Sequence, residues 1–153
     1  MAANCRFAFA VHVLSVLASH PESGVTSDKL AASVNTNPVV IRRLLTTLRR
    51  AGFICTQKGA RTGSRLCHEP GEITLDQIYR AVESGPSFSP HPHTPNQKCP
   101  VGQRIEMVLT EVFASAQSAL EHALSERSLA DVVETMQTPG RASSGSRGVR
   151  RPR

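Results

Sequence analysis

At 153 residues with a formal net charge of +6, the chain has the length of one domain with tails and a basic balance suited to a polyanionic partner. Hydrophobic residues supply 39% of it but aromatics only 4%, with no tryptophan, which argues against a β-sandwich and for packed helices of small aliphatic side chains. No run approaches the roughly 18 apolar residues of a membrane span. The four cysteines, without C-x-x-C spacing, do not suggest a secreted disulfide scaffold or a zinc site, so a reducing cytoplasm is expected.

The first predicted element is a helix over Arg6–Ser19, where Phe7, Ala10, Val11, Leu14 and Leu17 or Ala18 form an apolar stripe. The stretch RFAFAVHVLSVLASHPE imitates a short signal peptide, with Arg6 ahead of an apolar run. His12 and Ser15 interrupt that run, however, and no A-x-A site follows it. HPESG breaks the helix, and Thr26 or Ser27 can cap a second one, SDKLAASV, with Asp28 near its positive end. Asn35-Thr36-Asn37 reads as a tight turn, Pro38 suits a first helical position, and Gly52 ends the third helix. Two short helices joined by a few polar residues, the second one basic, form the helix-turn-helix pattern.

On the third helix Ile41, Leu44, Leu45, Leu48 and Ala51 share one face, while Arg42, Arg43, Thr46, Arg49 and Arg50 share the other. A solvated face mixes acids with bases, because ion pairs one turn apart stabilise exposed helices. Here residues 30–68 hold seven basic residues and no acid. Such a face repels itself, and a polyanion is the natural compensation. FICTQ and SRLCH read as two strands about KGARTG, a loop carrying Lys58 and Arg61. In helix-turn-helix motifs the start of the second helix approaches base edges. Thr36, Asn37, Val39, Arg42 and Arg43 are therefore the candidate base contacts, and Arg49, Arg50, Lys58, Arg61 and Arg65 the candidate phosphate contacts.

ITLDQIYRAVE predicts a fourth helix with Ile73, Ile78, Ala81 and Val82 facing the core. An arm over residues 84–100 follows, with four prolines before Pro100. From Val101 to about Arg127, Ile105, Val108, Leu109, Val112, Phe113, Ala116, Leu120 and Leu124 recur at helical spacing. The stripe exceeds what one small core needs, so this helix is expected to pack against a second copy. Leu129–Met136 reads as a short terminal helix, and the residues from 138 as a basic tail without a packed core. The expected division is thus a DNA-binding unit (1–83), an arm (84–100), a dimerisation helix with its terminal helix (101–137) and the tail (138–153).

RFAFAVHVLSVLA, SDKLAASVNTNPVVIRRLLTTLRRAGFI, EITLDQIYRAVE and HPHTPNQKCPVGQRIEMVL together resemble the Rrf-two family of bacterial winged-helix transcriptional regulators, over roughly Asn4–Met136. The resemblance implies a mainly α (α+β) winged helix-turn-helix fold with a two-stranded wing, and a homodimer on palindromic double-stranded operator DNA, acting as a repressor. It also implies dimerisation through the long C-terminal helix. Many members carry three closely spaced cysteines in the arm for an iron–sulfur cluster; here the arm holds only Cys99, so no cofactor is expected and the chain resembles the cluster-free, YwnA-like branch. Family wings are also richer in glycine than KGARTGSRLC, which has two.

Cys99 sits beside Lys98 at the start of the long helix, where a cation and a helix N-terminus favour a thiolate. It reads either as a redox-sensing thiol or as a packed residue fixing the arm. Cys55 and Cys67 face one another if the hairpin centres on Arg61, a geometrically demanding disulfide; a bridge between protomers through Cys5 or Cys55 is the other option. His91, His93 and Cys99 make at most a partial metal site, so no metal ligand is assigned, and His12 reads as a half-buried structural residue. No G-x-S-x-G, P-loop or H-E-x-x-H is present, so an enzyme is not expected. The alternative from another class is a winged-helix protein-interaction module that does not meet DNA.

Overall fold

The computed structural model describes residues 5–57, 59 and 62–138. Helix α1 (Arg6–Ala18) is followed by α2 (Ser27–Val34), α3 (Pro38–Arg50), the strands β1 (Ile54–Gln57) and β2 (Gly63–Leu66), α4 (Leu75–Val82), α5 (Ile105–Ser125) and α6 (Leu129–Gln137). A 3-10 turn, Pro70–Glu72, precedes α4 and carries a capping box between Glu69 and Glu72. The described residues are mainly helical with a two-stranded antiparallel sheet, as the winged helix-turn-helix expectation requires.

The core gathers Ala10, Val13, Leu14 and Leu17 of α1, Leu30 of α2, Ile41, Leu45 and Leu48 of α3, and Ile73, Ile78, Val82 and Leu129 from the C-terminal half. Each buried Val, Leu and Ile among them stabilises the fold by about 1.5–3 kcal/mol relative to exposure, and Ala10 by less. The α1 stripe is rotated from its expected centre: Val13 is fully buried, whereas Phe7 and Val11 pack only partly. Phe7 instead meets Tyr79 of α4 edge to face, with centroids 5.6 Å apart.

Two short bridges tie distant segments together. Val25, just before α2, exchanges both backbone hydrogen bonds with Ser64 of β2, each 2.9 Å. Thr74 pairs with Ser128, so the segments leading into α4 and α6 run against one another. Both helices carry capping boxes, Thr74/Gln77 and Ser128/Asp131.

The long helix begins four residues later than its sequence pattern, at Ile105 rather than Val101. Gly102 lies so close to the Asn96 carbonyl that a Cβ there would stand 2.2 Å from its oxygen, and Gln103 Nε2 donates to the Gln97 carbonyl at 2.7 Å. Residues 97–104 therefore coil as turns against Asn96. α5 is held to α4 by Arg80, which bonds Glu121 at 2.8 Å and lies 3.7 Å from Asp76. The arm reaches α5 through the Phe88–Phe113 stack (5.3 Å) and through the Ser87 amide, which donates to Gln117 Oε1. No α5 residue is buried; Val108 and Val112 are 48% and 54% exposed.

Candidate nucleic-acid interface

The recognition unit is set by local chemistry at each joint. Thr26 caps α2 by accepting the Lys29 amide, and Asn35 closes it in the left-handed region (φ 57°). The Asn35 amide donates to Ala32 and the Thr36 amide to Ala31, which turns the chain in three residues. Asn37 then starts α3: its Oδ1 accepts the Val39 amide at 2.8 Å, and Pro38 takes the first helical position. Asn37, a candidate base contact, thus has its side-chain oxygen engaged as the cap. Ala51 and Gly52 (φ 84°) end the helix, and the Phe53 amide donates to the Leu48 carbonyl.

Val39, Arg42, Arg43, Thr46, Arg49 and Arg50 are all exposed on α3, while Ile41, Leu44, Leu45 and Leu48 are buried. The basic face, however, divides lengthwise. Arg42, Thr46 and Arg49, at i, i+4 and i+7, border a groove of about 320 Å³ whose other wall is Thr56, Thr62 and Ser64 of the hairpin. Arg43 and Thr47 lie on the opposite flank, in a second cleft of about 320 Å³ shared with Val40 and with Arg6 of α1. The groove places two guanidiniums, donors suited to phosphate oxygens, across from Thr56, Thr62 and Ser64; the Thr62 hydroxyl already donates to the Gly59 carbonyl, and Ser64 is buried. Sequence periodicity found the α3 side chains; it missed the hairpin hydroxyls and Arg6, which had drawn notice only as a charge ahead of an apolar run.

In space the basic helix does meet an acid. The acid-free stretch begins at residue 30, but the helix-turn-helix fold brings Asp28 to Arg42: Nη2 stands 3.3 Å from Oδ1, and Nε is 3.4 Å from Ser27 Oγ. Arg42 therefore has a counter-ion. With side chains 60% and 73% exposed, the pair contributes about 0–1 kcal/mol and can open to another anion. Arg65 is exposed on β2, and Lys58 and Arg61 lie outside the described residues.

The hairpin does not meet the condition that would set Cys55 directly opposite Cys67. Ile54 pairs with Leu66 and Gln57 with Gly63, which centres the turn on position 60, one residue before Arg61. Cys55 faces Arg65, and Cys67 follows β2 with its amide donating to the Phe53 carbonyl at 2.9 Å. The two cysteines are diagonal neighbours on one face and are joined as a disulfide, Cα atoms 5.5 Å apart. Cys5 and Cys99 stand outside this disulfide and are both exposed, so Cys99 is not packed beneath the arm. Its thiol is held below the ordinary value by the Gly102 backbone amide and then by that of Val101. His12 is exposed rather than half-buried, its Nε2 3.0 Å from Ser33 Oγ.

Among the described residues no three His, Cys, Asp or Glu side chains come together as a metal site, so His91, His93 and Cys99 do not assemble one. An iron–sulfur cluster needs about four thiolate-type ligands. With one cysteine in the arm and Cys55 and Cys67 bonded to each other, the donor set does not fit such a cluster. No described helix is long and apolar enough to cross a membrane.

The comparisons agree with this geometry. The family described as "Rrf2: Iron-dependent Transcriptional regulator" matches residues 3–135. YwnA of Bacillus subtilis (strain 168), whose name places it among HTH-type transcriptional regulators, is 39% identical over 130 residues, covering 85% of this chain and 96% of that protein. A solved structure described as that of a DNA-binding protein is 38% identical, with a TM-score of 0.66, covering 83% of this chain and 97% of its own. CymR (YrzC), the global cysteine regulator of B. subtilis, shares the fold at 21% identity and a TM-score of 0.66, covering 88% and 98%. From its capped recognition helix to the extent of these matches, the chain belongs to the Rrf2 family of transcriptional regulators.

Proposed function

We propose that this chain is a homodimeric repressor that reads a palindromic operator in duplex DNA, placing α3 of each protomer in successive major grooves. The observation that carries the reading is the groove in which Arg42 and Arg49 of α3 face Thr56, Thr62 and Ser64 of the wing. Thr36, Asn37, Val39, Arg42 and Arg43 stand at the reading end, and Arg49, Arg50 and Arg65 meet phosphates, together with Lys58 and Arg61 of the wing loop. The unpartnered apolar side of α5, with Val108 and Val112 exposed, supports the second copy as its cover. The cytoplasm is the compartment such a regulator occupies. Cys99, an exposed thiol with a lowered pKa, is the candidate point at which a redox signal enters.

The test is selection of bound sites from random duplex DNA with the protein reduced and then oxidised, followed by affinity against salt. Recovery of an inverted repeat, with a steep salt slope flattened by Arg42→Ala/Arg43→Ala, is the expected outcome. A shallow slope that the double variant leaves unaltered favours the protein-interaction module instead. Identical selections under both redox conditions remove the thiol signal while leaving DNA binding in place.

A further inference from the structure

The groove that seats the proposed phosphate contacts has two walls, and their attachment is unequal. The wing wall is tied to the loop before α2 near its far end, where Ser64 exchanges backbone hydrogen bonds with Val25. Its base is tied to the end of α3 by single hydrogen bonds in series, Cys67 amide to Phe53 carbonyl (2.9 Å) and Phe53 amide to Leu48 carbonyl (3.1 Å). The strands have only four residues each, and a two-stranded hairpin of that size is marginal by itself. The Cys55–Cys67 bond closes this base covalently.

We propose that Cys55 and Cys67 form a reversible dithiol–disulfide pair that sets DNA affinity by locking or releasing the base of the wing against α3. The proposal rests on the DNA-binding reading above. Cys67 is exposed and Cys55 half-buried, so an oxidant reaches Cys67 first. A hydroperoxide is the oxidant class. The Cys67 thiolate attacks its terminal oxygen, the O–O bond breaks, and the alcohol leaves with a proton, giving a sulfenic acid on Cys67. The Cys55 thiolate then attacks that sulfur; the S–S bond forms, and hydroxide departs as water with a proton. The two sulfurs lose two electrons and the peroxide gains them. A dithiol reverses the step by exchange, being oxidised to its own disulfide. Phe53 and Ile54 keep the base seated in the core in both forms; in the oxidised form Cys67 is also fixed to β1 before DNA arrives, and in the reduced form the chain around Cys67 has more freedom to lose on binding, which weakens the complex.

The test uses the full chain carrying Cys5→Ser and Cys99→Ser, so that Cys55 and Cys67 are its only thiols, with tert-butyl hydroperoxide and a small dithiol as reagents. The probe is a mixed-sequence duplex of about 30 base pairs, long enough for two half-sites. Mass spectrometry after alkylation is expected to count two thiols after the dithiol and none after peroxide. Duplex affinity is expected to be roughly five- to tenfold higher for the cross-linked form. Cys55→Ser and Cys67→Ser in the same background should bind as the reduced form does and ignore peroxide. A pair that peroxide leaves as thiols, or two forms of equal affinity, overturns the proposal. Should neither form hold this duplex or any duplex recovered by selection, the DNA reading fails and the affinity role falls with it; amide hydrogen exchange at Phe53 and Cys67 then tests the lock alone, which equal exchange before and after reduction overturns.

Discussion

Replacing Arg49 by alanine isolates the electrostatic part of the interface. Arg49 is exposed, borders the groove opposite the wing hydroxyls, and has no ion pair among the described residues, whereas Arg42 on the same flank is shared with Asp28. If each Arg49 neutralises one phosphate, two protomers contribute about 1.8 to the slope of log affinity against log salt. Between about 50 and 200 mM salt, the ratio of wild-type to variant affinity should then shrink by about twelvefold. Fluorescence anisotropy on a selected operator at four or five salt concentrations measures it. Arg80→Ala serves as the control for net charge alone, since its guanidinium is committed to Glu121 and Asp76. A wild-type-to-variant ratio that does not change with salt, or an equal slope change in the Arg80 control, refutes the placement of Arg49 against phosphate.

Asn37→Ala removes the Oδ1 that accepts the Val39 amide and should lower stability by about 1 kcal/mol, or Tm by about 3 °C, in calorimetry; an unchanged Tm means the cap contributes nothing. Val112→Asp places a charge on the exposed α5 face and should shift sedimenting mass from dimer to monomer while the far-ultraviolet spectrum stays constant; a persistent dimer moves the interface elsewhere. Glu121 has its carboxyl lowered from 4.5, first by the Gln117 side-chain hydrogen bond and then, against desolvation, by Arg80. Its contribution is therefore complete above 4.5 and lost as pH falls through the lower folded value. Glu121→Gln should lose less stability on acidification than wild type in denaturant titrations, and equal losses would remove Glu121 from the account.

What the sequence made legible was mostly local. The limits of α2, residues 27–34, follow from Thr26 as cap and Asn35 as left-handed terminator, both decided within a few positions. α3 was equally plain, because Pro38 and Gly52 bracket a strongly two-faced run. What escaped depends on residues far apart in the chain. Asp28 reaches Arg42 across 14 positions only because α2 packs on α3. Periodicity gives the angles of the arginines about the helix, yet only the docked hairpin says which flank becomes a groove wall. The late start of α5 has the same origin: the apolar spacing runs back to Val101, but the approach of Gly102 to Asn96 turns the chain before helix can propagate. The Cys55–Cys67 pairing was in reach of pattern reading, but spacing alone leaves the hairpin centre open, and only the register, with its turn on position 60, makes the two cysteines diagonal neighbours.

The bridge between Val25 and Ser64 depends on an atom that is missing. A Cβ on Gly63, whose φ is 154°, would stand 2.5 Å from the Gly24 carbonyl carbon and 2.6 Å from the Val25 nitrogen. Both are main-chain atoms, so no rotamer change makes room, and any side chain there must drive β2 off the loop before α2. Gly59, by contrast, faces open space. Position 63 can therefore serve as a diagnostic when wings are compared across relatives. A chain with glycine there can carry its wing in contact with the segment leading into α2; with any other residue this close approach of β2 is closed, and strand or loop must shift to make room.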